Sequence, residues 1–228
     1  QLVAMVSHEF NNSLSVLGGI ARLLKGDEAQ PPDPKRLNYY MIIESNIRSL
    51  AVAARTLLEL GRQEAGRLKV HPVRMDLTAL ARESCGRLEV LWSRKGQAAT
   101  VEAPDGAVWV LGDPDALALV ATNLLANAIK YTPDKGRITV AVSPTAGGGA
   151  PSQGGTFSVA DTGIGIAPED PQRILSGYFR PEAGKKAAKG FGVGLALSQA
   201  LLAAHGTELK VESASGQGSR FSFELPGA

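Results

Sequence analysis

The chain has 228 residues, 44% of them hydrophobic and 20% charged, which suits one or two globular domains and excludes general disorder. A formal net charge of +2 without a basic tract argues against nucleic-acid binding, and the single cysteine, Cys85, excludes an internal disulfide framework and a cysteine-based zinc site. No run of about 18 apolar residues and no signal-peptide pattern is present. Because the chain opens within a helical pattern, "QLVAMVSHEF", we expect a cytoplasmic fragment of a longer protein, with membrane anchoring only through segments outside these residues.

Two long helical segments open the chain. Residues 1–26 place apolar side chains at steps of three and four, and the proline-rich stretch "GDEAQPPDP" (26–34) ends this helix. A second helix is predicted from about residue 34 to 62. One helical hairpin buries only part of its apolar surface, so we predict that two chains pair into a dimeric four-helix bundle.

A mixed pattern follows a plausible linker at 61–68. Asp113 is a good N-cap for a strong helix at 114–131, and "SPTAGGGAPSQGG" (143–155) predicts a mobile loop. Helices grouped with a largely antiparallel sheet indicate a two-layer α+β domain. With the linker as the boundary, we expect one domain at 1–66 and a second at 67–228. Further helices are predicted at 76–95 and 194–205, and strands at 98–103, 107–111, 137–142, 156–161, 208–213 and 219–225.

The helix at 114–131 has two distinct faces. Asn123, Asn127 and Lys130 share one face at spacing i, i+4, i+7. Amides and an ammonium group aligned in this way can hold a metal ion and phosphates, whereas a solvated polar face is the alternative. The apolar stripe on the other side is predicted to contain Leu117, Val120, Ala121, Leu124 and Ala128.

Two glycine-containing stretches follow. In "DTGIGIAP" (161–168) an aspartate ends a strand, and its carboxylate can accept a hydrogen bond from an exocyclic amine; a simple turn is the alternative. In "KGFGVGLAL" (189–197) three glycines precede a helix, whose free N–H groups attract phosphate. A Rossmann motif fits poorly because no strand precedes these glycines, and a P-loop is excluded because no Gly-Lys-Ser/Thr occurs.

The order and spacing of these motifs are more specific than any one of them. "NLLANAIKYT", "DTGIGI", "GFGVGLAL" and "GQGSRFSF" resemble the N, G1, G2 and G3 boxes of the GHKL ATPase superfamily, over about residues 75–226. That superfamily includes sensor histidine kinases, DNA gyrase, MutL and heat-shock chaperones. The resemblance implies the two-layer α+β sandwich of the GHKL (Bergerat) ATP-binding fold, with ATP and Mg²⁺ as cofactors.

The resemblance also implies roles for individual residues. Asn127 matches the asparagine that coordinates Mg²⁺, and Asp161 matches the aspartate that reads the adenine amino group. Asn123 stands where gyrase-type ATPases carry a water-activating glutamate, and an amide is a poor base, which disfavours simple ATP hydrolysis. "GYFRPE" (177–182) resembles a degraded F box. The other expected nucleotide-site residues are Lys130, Tyr131, Gly163, Gly165, Ile166, Phe179, Arg180, Lys189, Gly190, Gly192, Val193, Gly194 and Leu195.

The first helix contains "SHEFNNSL" (7–14), in which His8 lies opposite the apolar stripe and points to solvent. From this helix alone, an ordinary surface histidine and a reactive one remain alternatives. Metal binding is disfavoured because His71 and His205 are distant in sequence. Followed by a helical hairpin and a GHKL domain, the segment resembles the H box of sensor histidine kinases, which implies that His8 is the phosphoryl acceptor.

Two neighbours of His8 have expected roles. Glu9 is placed to hydrogen-bond one ring nitrogen and to favour the reactive tautomer. Asn12 lies one turn beyond His8, where the family uses Thr or Asn to orient water for dephosphorylation of the partner receiver; a solvated asparagine is the alternative.

Several functions are compatible with the motifs. The resemblance favours a kinase that transfers phosphate from ATP to His8 and then to an aspartate of a response-regulator receiver domain, with or without phosphatase activity through Asn12. A nucleotide-binding signalling scaffold is the alternative, suggested by the degraded F box and by Val193, where the family usually has leucine. A gyrase- or chaperone-type ATPase is disfavoured by Asn123.

Overall fold

The computed structural model describes residues 70–145, 154–167, 174–175 and 193–228. The chain divides into two units, Gln1–Arg67 and Leu68–Ala228, and all of the described residues belong to the second unit. The helices predicted at 1–26 and 34–62, the linker between the units and most of the loop predicted at 143–155 lie outside the described residues.

The described part of the second unit contains both strands and helices. In chain order its elements are β1 (Val73–Asp76), α1 (Leu77–Arg87), α2 (Glu89–Arg94), β2 (Ala98–Glu102), β3 (Trp109–Gly112), α3 (Pro114–Tyr131), β4 (Arg137–Pro144), β5 (Gly155–Asp161), α4 (Val193–Ala204), β6 (Lys210–Ser213) and β7 (Ser219–Leu225).

Among the described residues, the main sheet has five strands in the order β2-β4-β5-β7-β6. Of the strand pairs described in this sheet, only β2–β4 is parallel, so the sheet is largely antiparallel, as predicted. A separate antiparallel pair joins β1 to β3, with Val73 opposite Gly112 and Asp76 opposite Trp109. The sequence pattern did not predict β1, because its alternation of apolar and charged residues covers only 4 residues, too short a run to indicate a strand.

The core lies between the helices and one face of the main sheet. Phe157 on β5 and Phe223 on β7 are cross-strand partners whose rings stack with centroids 5.2 Å apart. The whole predicted stripe of α3 is buried against this layer, together with Leu125 and Ile129. The two-layer α+β arrangement is therefore confirmed for this unit.

Helix ends follow local side-chain chemistry. Asp113 caps α3 as predicted, because its Oδ1 accepts hydrogen bonds from the N–H groups of Asp115 and Ala116 at 3.1 and 3.2 Å. The helix predicted at 76–95 is in fact two helices. Buried Leu88 interrupts it with φ −106° and ψ 6°, a turn outside the helical range, before α2 begins.

Candidate functional site

Asp161 is the last residue of β5 and lies at the centre of the candidate site. Its Oδ1 accepts a hydrogen bond of 2.7 Å from the backbone N–H of Gly163. Burial raises the pKa of the Asp161 carboxyl above its usual value, while the N–H groups of Gly163 and Ser219 act in the opposite direction. A half-buried carboxylate at a strand end is suited to accept a hydrogen bond from a ligand amine.

The two predicted glycines after Asp161 are required by close backbone approach. A Cβ atom on Gly163 would lie 2.6 Å from both Asp161 Oδ1 and the Tyr131 carbonyl oxygen. Gly165 has a φ of +66°, and a Cβ there would overlap the carbonyl oxygen of Ala214. No other residue type fits these positions without moving the backbone.

Hydrogen bonds from three directions fix the loop 162–167. The N–H of Ile164 donates to the Tyr131 carbonyl at 3.3 Å, which ties the loop to the end of α3. The N–H of Ile166 donates to Ser213 Oγ at 2.9 Å, and the Ile164 carbonyl accepts from Gly216 at 2.8 Å. Sequence reasoning missed Ser213, because one serine at the end of a strand gives no signal of a contact 47 residues away.

Asn123 faces the helix that follows the glycine-rich segment. Its side-chain Nδ2 donates a hydrogen bond of 2.8 Å to Ser198 Oγ, and Ser198 is only 1% exposed. Gly194, near the start of α4, packs directly on the Asn123 amide, so that a Cβ atom at this position would overlap it. The structure therefore brings Asn123 and Gly194 together, and it adds Ser198, which the sequence did not indicate.

The other two predicted site residues of α3, Asn127 and Lys130, lie towards its carboxyl end. Asn127 is half-buried and makes no side-chain hydrogen bond to another described residue. The Lys130 ammonium lies 4.9 Å from the centroid of the Tyr131 ring, within the range of a cation–π contact. These side chains follow Asn123 by one and two turns, so the helix carries the three predicted polar groups towards the loop at 162–167.

Other predicted residues are only partly described or lie outside the described part of the chain. Val193 begins α4, and Leu195 is half-buried on the same helix. The residues outside the described ranges are His8, Glu9, Asn12, Phe179, Arg180, Lys189, Gly190 and Gly192.

The described residues bear on metal binding through a single candidate, Asn127. No three His, Cys, Asp or Glu side chains gather among them into a group that could hold a metal ion. Asn127 would therefore need oxygen atoms from phosphates and water to complete a Mg²⁺ shell, which is how Mg²⁺ is commonly bound beside nucleotides. Within the same residues, no helix combines the length and the apolarity needed to cross a bilayer.

The arrangement fits an adenine nucleotide. Asp161 supplies an acceptor at the strand end, Gly163 and Gly165 let the loop at 162–167 pack closely against the Tyr131 and Ala214 carbonyls, and α3 supplies amides and an ammonium group nearby. The two-layer fold and this site together define a nucleotide-binding domain of the GHKL class.

Comparison with family models gives the same assignment. Residues 112–228 match the family described as histidine kinase-, DNA gyrase B- and HSP90-like ATPase, and residues 1–66 match the His Kinase A (phospho-acceptor) domain. The chain belongs to this ATPase family, and within it to the sensor histidine kinases. The expected fold class, a phosphotransfer domain of the HisKA type before an ATP-binding domain, is confirmed.

Named relatives agree with this assignment. The chain is 30% identical over 236 residues to the adaptive-response sensory kinase SasA of Trichormus variabilis, covering 99% of this chain and 57% of that protein. It is 29% identical over 228 residues to the histidine protein kinase DivJ of Caulobacter vibrioides, covering 99% of this chain and 37% of that protein. The chain therefore spans less than two thirds of the length of these relatives.

A solved structure shares the architecture. The crystal structure of full-length ShkA in complex with AMPPNP matches with a TM-score of 0.69 and 28% sequence identity, covering 100% of this chain and 46% of that one. AMPPNP is an analogue of ATP, so the ShkA complex is consistent with an ATP-binding domain, and the family match supports the same conclusion for this chain.

Proposed function

We propose that this chain is the core of a sensor histidine kinase that transfers the terminal phosphoryl group of ATP to His8 and then to an aspartate of a response-regulator receiver domain. Residues 1–66 form the dimerisation and phosphotransfer domain, and residues 67–228 form the ATP-binding domain. One observation carries the proposal: a match to the phospho-acceptor domain, which contains His8, precedes in the same chain a match to the ATPase family that contains Asp161.

The residues of the candidate nucleotide site have different proposed roles in binding. Asp161 would accept a hydrogen bond from the adenine amino group, and Gly163 and Gly165 hold the loop at 162–167 close to the Tyr131 and Ala214 carbonyls. Asn127 would hold Mg²⁺, and Lys130 would contact the phosphates. When bound, Mg²⁺ would neutralise charge on the transferring phosphoryl group.

Asn123 distinguishes this site from that of a hydrolase. Its Nδ2 donates to Ser198 Oγ, and the side chain carries no carboxylate that could take a proton from water. The described part of the pocket therefore binds and orients a nucleotide without supplying a general base next to the phosphates at this position. Such a site is suited to a nucleophile delivered by another domain.

His8 is the proposed nucleophile. Near neutral pH an unprotonated imidazole nitrogen attacks the γ-phosphorus of ATP, the bond from that phosphorus to the bridging oxygen breaks, and ADP leaves. Glu9 accepts a hydrogen bond from the other ring nitrogen and holds the reactive tautomer. A receiver aspartate then takes the phosphoryl group and returns the imidazole to its starting state.

Two copies of the chain form a homodimer through the helices predicted at 1–26 and 34–62. The proposal rests on the apolar stripes of these segments and on the match of residues 1–66 to the phospho-acceptor domain. Analytical ultracentrifugation of the chain, and of residues 67–228 alone, tests it, because only the longer species should dimerise.

Incubation with γ-labelled ATP and Mg²⁺ tests the kinase. Acid-labile, base-stable label is expected on the wild-type chain and is expected to be absent from His8→Gln. Asp161→Asn should carry less label because it binds ATP more weakly, whereas His8→Gln should keep ATP binding. Bound nucleotide without label on the wild-type chain would instead identify a signalling scaffold and overturn the kinase proposal.

The same chain is proposed to act as a phosphatase towards its phosphorylated receiver through Asn12. The proposal rests on the position of Asn12, one turn after His8, where its amide can orient a water molecule. Loss of receiver dephosphorylation in Asn12→Ala, with autophosphorylation retained, is the expected result. Equal dephosphorylation by the wild-type chain and Asn12→Ala would contradict it.

A further inference from the structure

The carboxyl end of helix α3 is held by two side chains from the segment before β2. Lys95 Nζ donates hydrogen bonds to the carbonyls of Ile129 at 2.8 Å and Thr132 at 2.6 Å. Gln97 Nε2 donates to the same two carbonyls at 3.0 and 2.8 Å. The last carbonyls of a helix lack partners within the helix, and a cation there also complements the helix dipole.

The Gln97 amide is held in one orientation. Gln97 is 3% exposed, and its Nε2 also lies 3.3 Å from the Pro133 carbonyl oxygen. Rotation of the amide by half a turn would place its oxygen against three carbonyl oxygens, which is repulsive. The buried Oε1 has no hydrogen-bond partner among the described residues, so this side chain is positioned by its donor end.

The same helix end holds the loop at 162–167. Between the carbonyls of Ile129 and Thr132 lies the carbonyl of Tyr131, which accepts the N–H of Ile164 at 3.3 Å. The backbone of Lys95 is also bound close to this helix end, because its carbonyl accepts a hydrogen bond from the N–H of Lys135 at 3.0 Å. The end of α3, residues 129–132, is therefore bound by Lys95 and Gln97 and also by the loop that follows Asp161.

We infer that Lys95 and Gln97 are positioning residues for the nucleotide site. They set the place of the last turn of α3, and through the Tyr131 carbonyl they set the place of the loop at 162–167, without contacting the nucleotide themselves. Their side chains bind the backbone carbonyls of Ile129 and Thr132. These two residues flank Lys130 and Tyr131, which are expected nucleotide-site residues. The inference rests on the ATP site of the proposed function.

Isothermal titration of ATP and Mg²⁺ into the full chain tests the inference. Lys95→Met and Gln97→Met are each expected to raise the Kd for ATP by about three- to thirtyfold, the range for coupling from positions that do not touch a ligand. Lys95→Arg keeps the charge and the donors and should stay within about twofold of wild type. Lys135→Met, which removes the same charge from a neighbouring residue, should not change the Kd.

A second control separates positioning from general destabilisation. Asp76 caps α1, with Oδ1 accepting the N–H of Thr78 at 2.9 Å, so Asp76→Ala lowers the melting temperature through a different helix. All titrations are run at a temperature at which circular dichroism shows each variant folded. Asp76→Ala should then bind ATP like the wild-type chain.

The outcomes distinguish the inference from the function on which it rests. A wild-type chain without ATP affinity would overturn the proposed ATP site. A wild-type chain that binds ATP, with Lys95→Met and Gln97→Met binding it equally well, would overturn the positioning role alone. A rise in Kd for Asp76→Ala equal to that for Lys95→Met would also overturn it, because loss of stability would then explain both.

Discussion

Ser198 accepts a hydrogen bond of 2.8 Å from the Asn123 side chain, and this contact joins the two helices that border the candidate nucleotide site. Asn123 lies on α3, which carries the polar face, whereas Ser198 lies on α4, which follows the glycine-rich segment. Because Ser198 is buried, its hydroxyl has little access to water as an alternative partner. The pair therefore links the position of α4 to that of the polar face.

Ser198→Ala is expected to lower the free energy of unfolding by about 1 kcal/mol, since it leaves the Asn123 donor without its partner. A double-mutant cycle with Asn123→Ala, measured by urea denaturation, isolates the contact. We expect the double variant to be more stable than the sum of the single effects implies. Additive effects would show that the hydrogen bond adds nothing to stability.

Local patterns predicted the elements of the second unit well. The apolar stripe of α3 and the Asp113 cap both follow from residue types at short spacing, and both are present in the structure. Chain-distant partners were not predictable in this way. Ser198, Ser213, Lys95 and Gln97 meet their partners across 75, 47, 34 and 32 residues, and a lone serine, lysine or glutamine carries no sign of its partner.

The site was predicted from motif order rather than from the geometry of any one residue. Gly163 could have been an ordinary turn glycine, and only the structure shows the Tyr131 carbonyl beside it. β1 was missed because its stability comes from pairing with β3, which is a tertiary contact, rather than from its own four residues.

Gly194→Ala tests the close packing of α4 on Asn123. The added Cβ would overlap the Asn123 amide, so the Asn123 side chain would have to shift away from its position beside Ser198. Alanine also favours the helix by up to about 1 kcal/mol, so the net change in stability should be small. We expect weaker ATP binding with a nearly unchanged melting temperature, measured by titration and calorimetry.

Gly86→Ala is the matched control, because a Cβ on Gly86 in α1 meets no atom within 4 Å. This variant should gain about 0.5–1 kcal/mol of stability and bind ATP like the wild-type chain. If Gly194→Ala also binds ATP normally, the contact with Asn123 does not influence the site.

Asp113→Ala tests a junction between three segments. Oδ1 of Asp113 caps α3, Oδ2 accepts the N–H of His71 at 2.9 Å, and the backbone N–H donates to His205 Nε2 at 3.0 Å. Loss of the side chain should cost about 1–2 kcal/mol of unfolding free energy, as for other N-caps. Asp115→Asn removes a nearby charge without removing the cap and should cost less than about 0.5 kcal/mol.

The pH dependence of the Asp113 contribution has a definite sign. Burial alone would raise the pKa of its carboxyl, but the N–H groups of His71, Ala116 and Asp115 and the His205 ring together hold it below the usual value. The contribution is therefore present above the ordinary pKa of about 3.9 and is lost as the pH falls through the lower folded value. Wild type and Asp113→Ala should converge in stability in that acidic window, measured by urea denaturation, and a constant difference would contradict this assignment.

Asp161→Asn should separate stability from ligand recognition. Burial raises the pKa of the Asp161 carboxyl in the folded protein. The protonated carboxyl therefore stabilises the fold at a pH below the pKa of the unfolded chain, and this contribution is lost as the pH rises through the pKa of the folded protein. At neutral pH the ionised side chain therefore disfavours folding, and asparagine should unfold at an equal or higher urea concentration than wild type. Towards acidic pH the two proteins should converge.

ATP binding by Asp161→Asn should become weaker, although the stability of this variant is expected to be equal or higher. A hydrogen bond from the adenine amine to an ionised acceptor contributes about 1.5–3 kcal/mol, so Asp161→Asn should weaken ATP binding by about ten- to a hundredfold at neutral pH. The wild-type affinity should fall as the pH drops through the raised Asp161 pKa, whereas the variant should show only the protonation of the nucleotide itself. Titrations of both proteins across this range measure the difference, and parallel pH profiles would exclude Asp161 as the adenine acceptor.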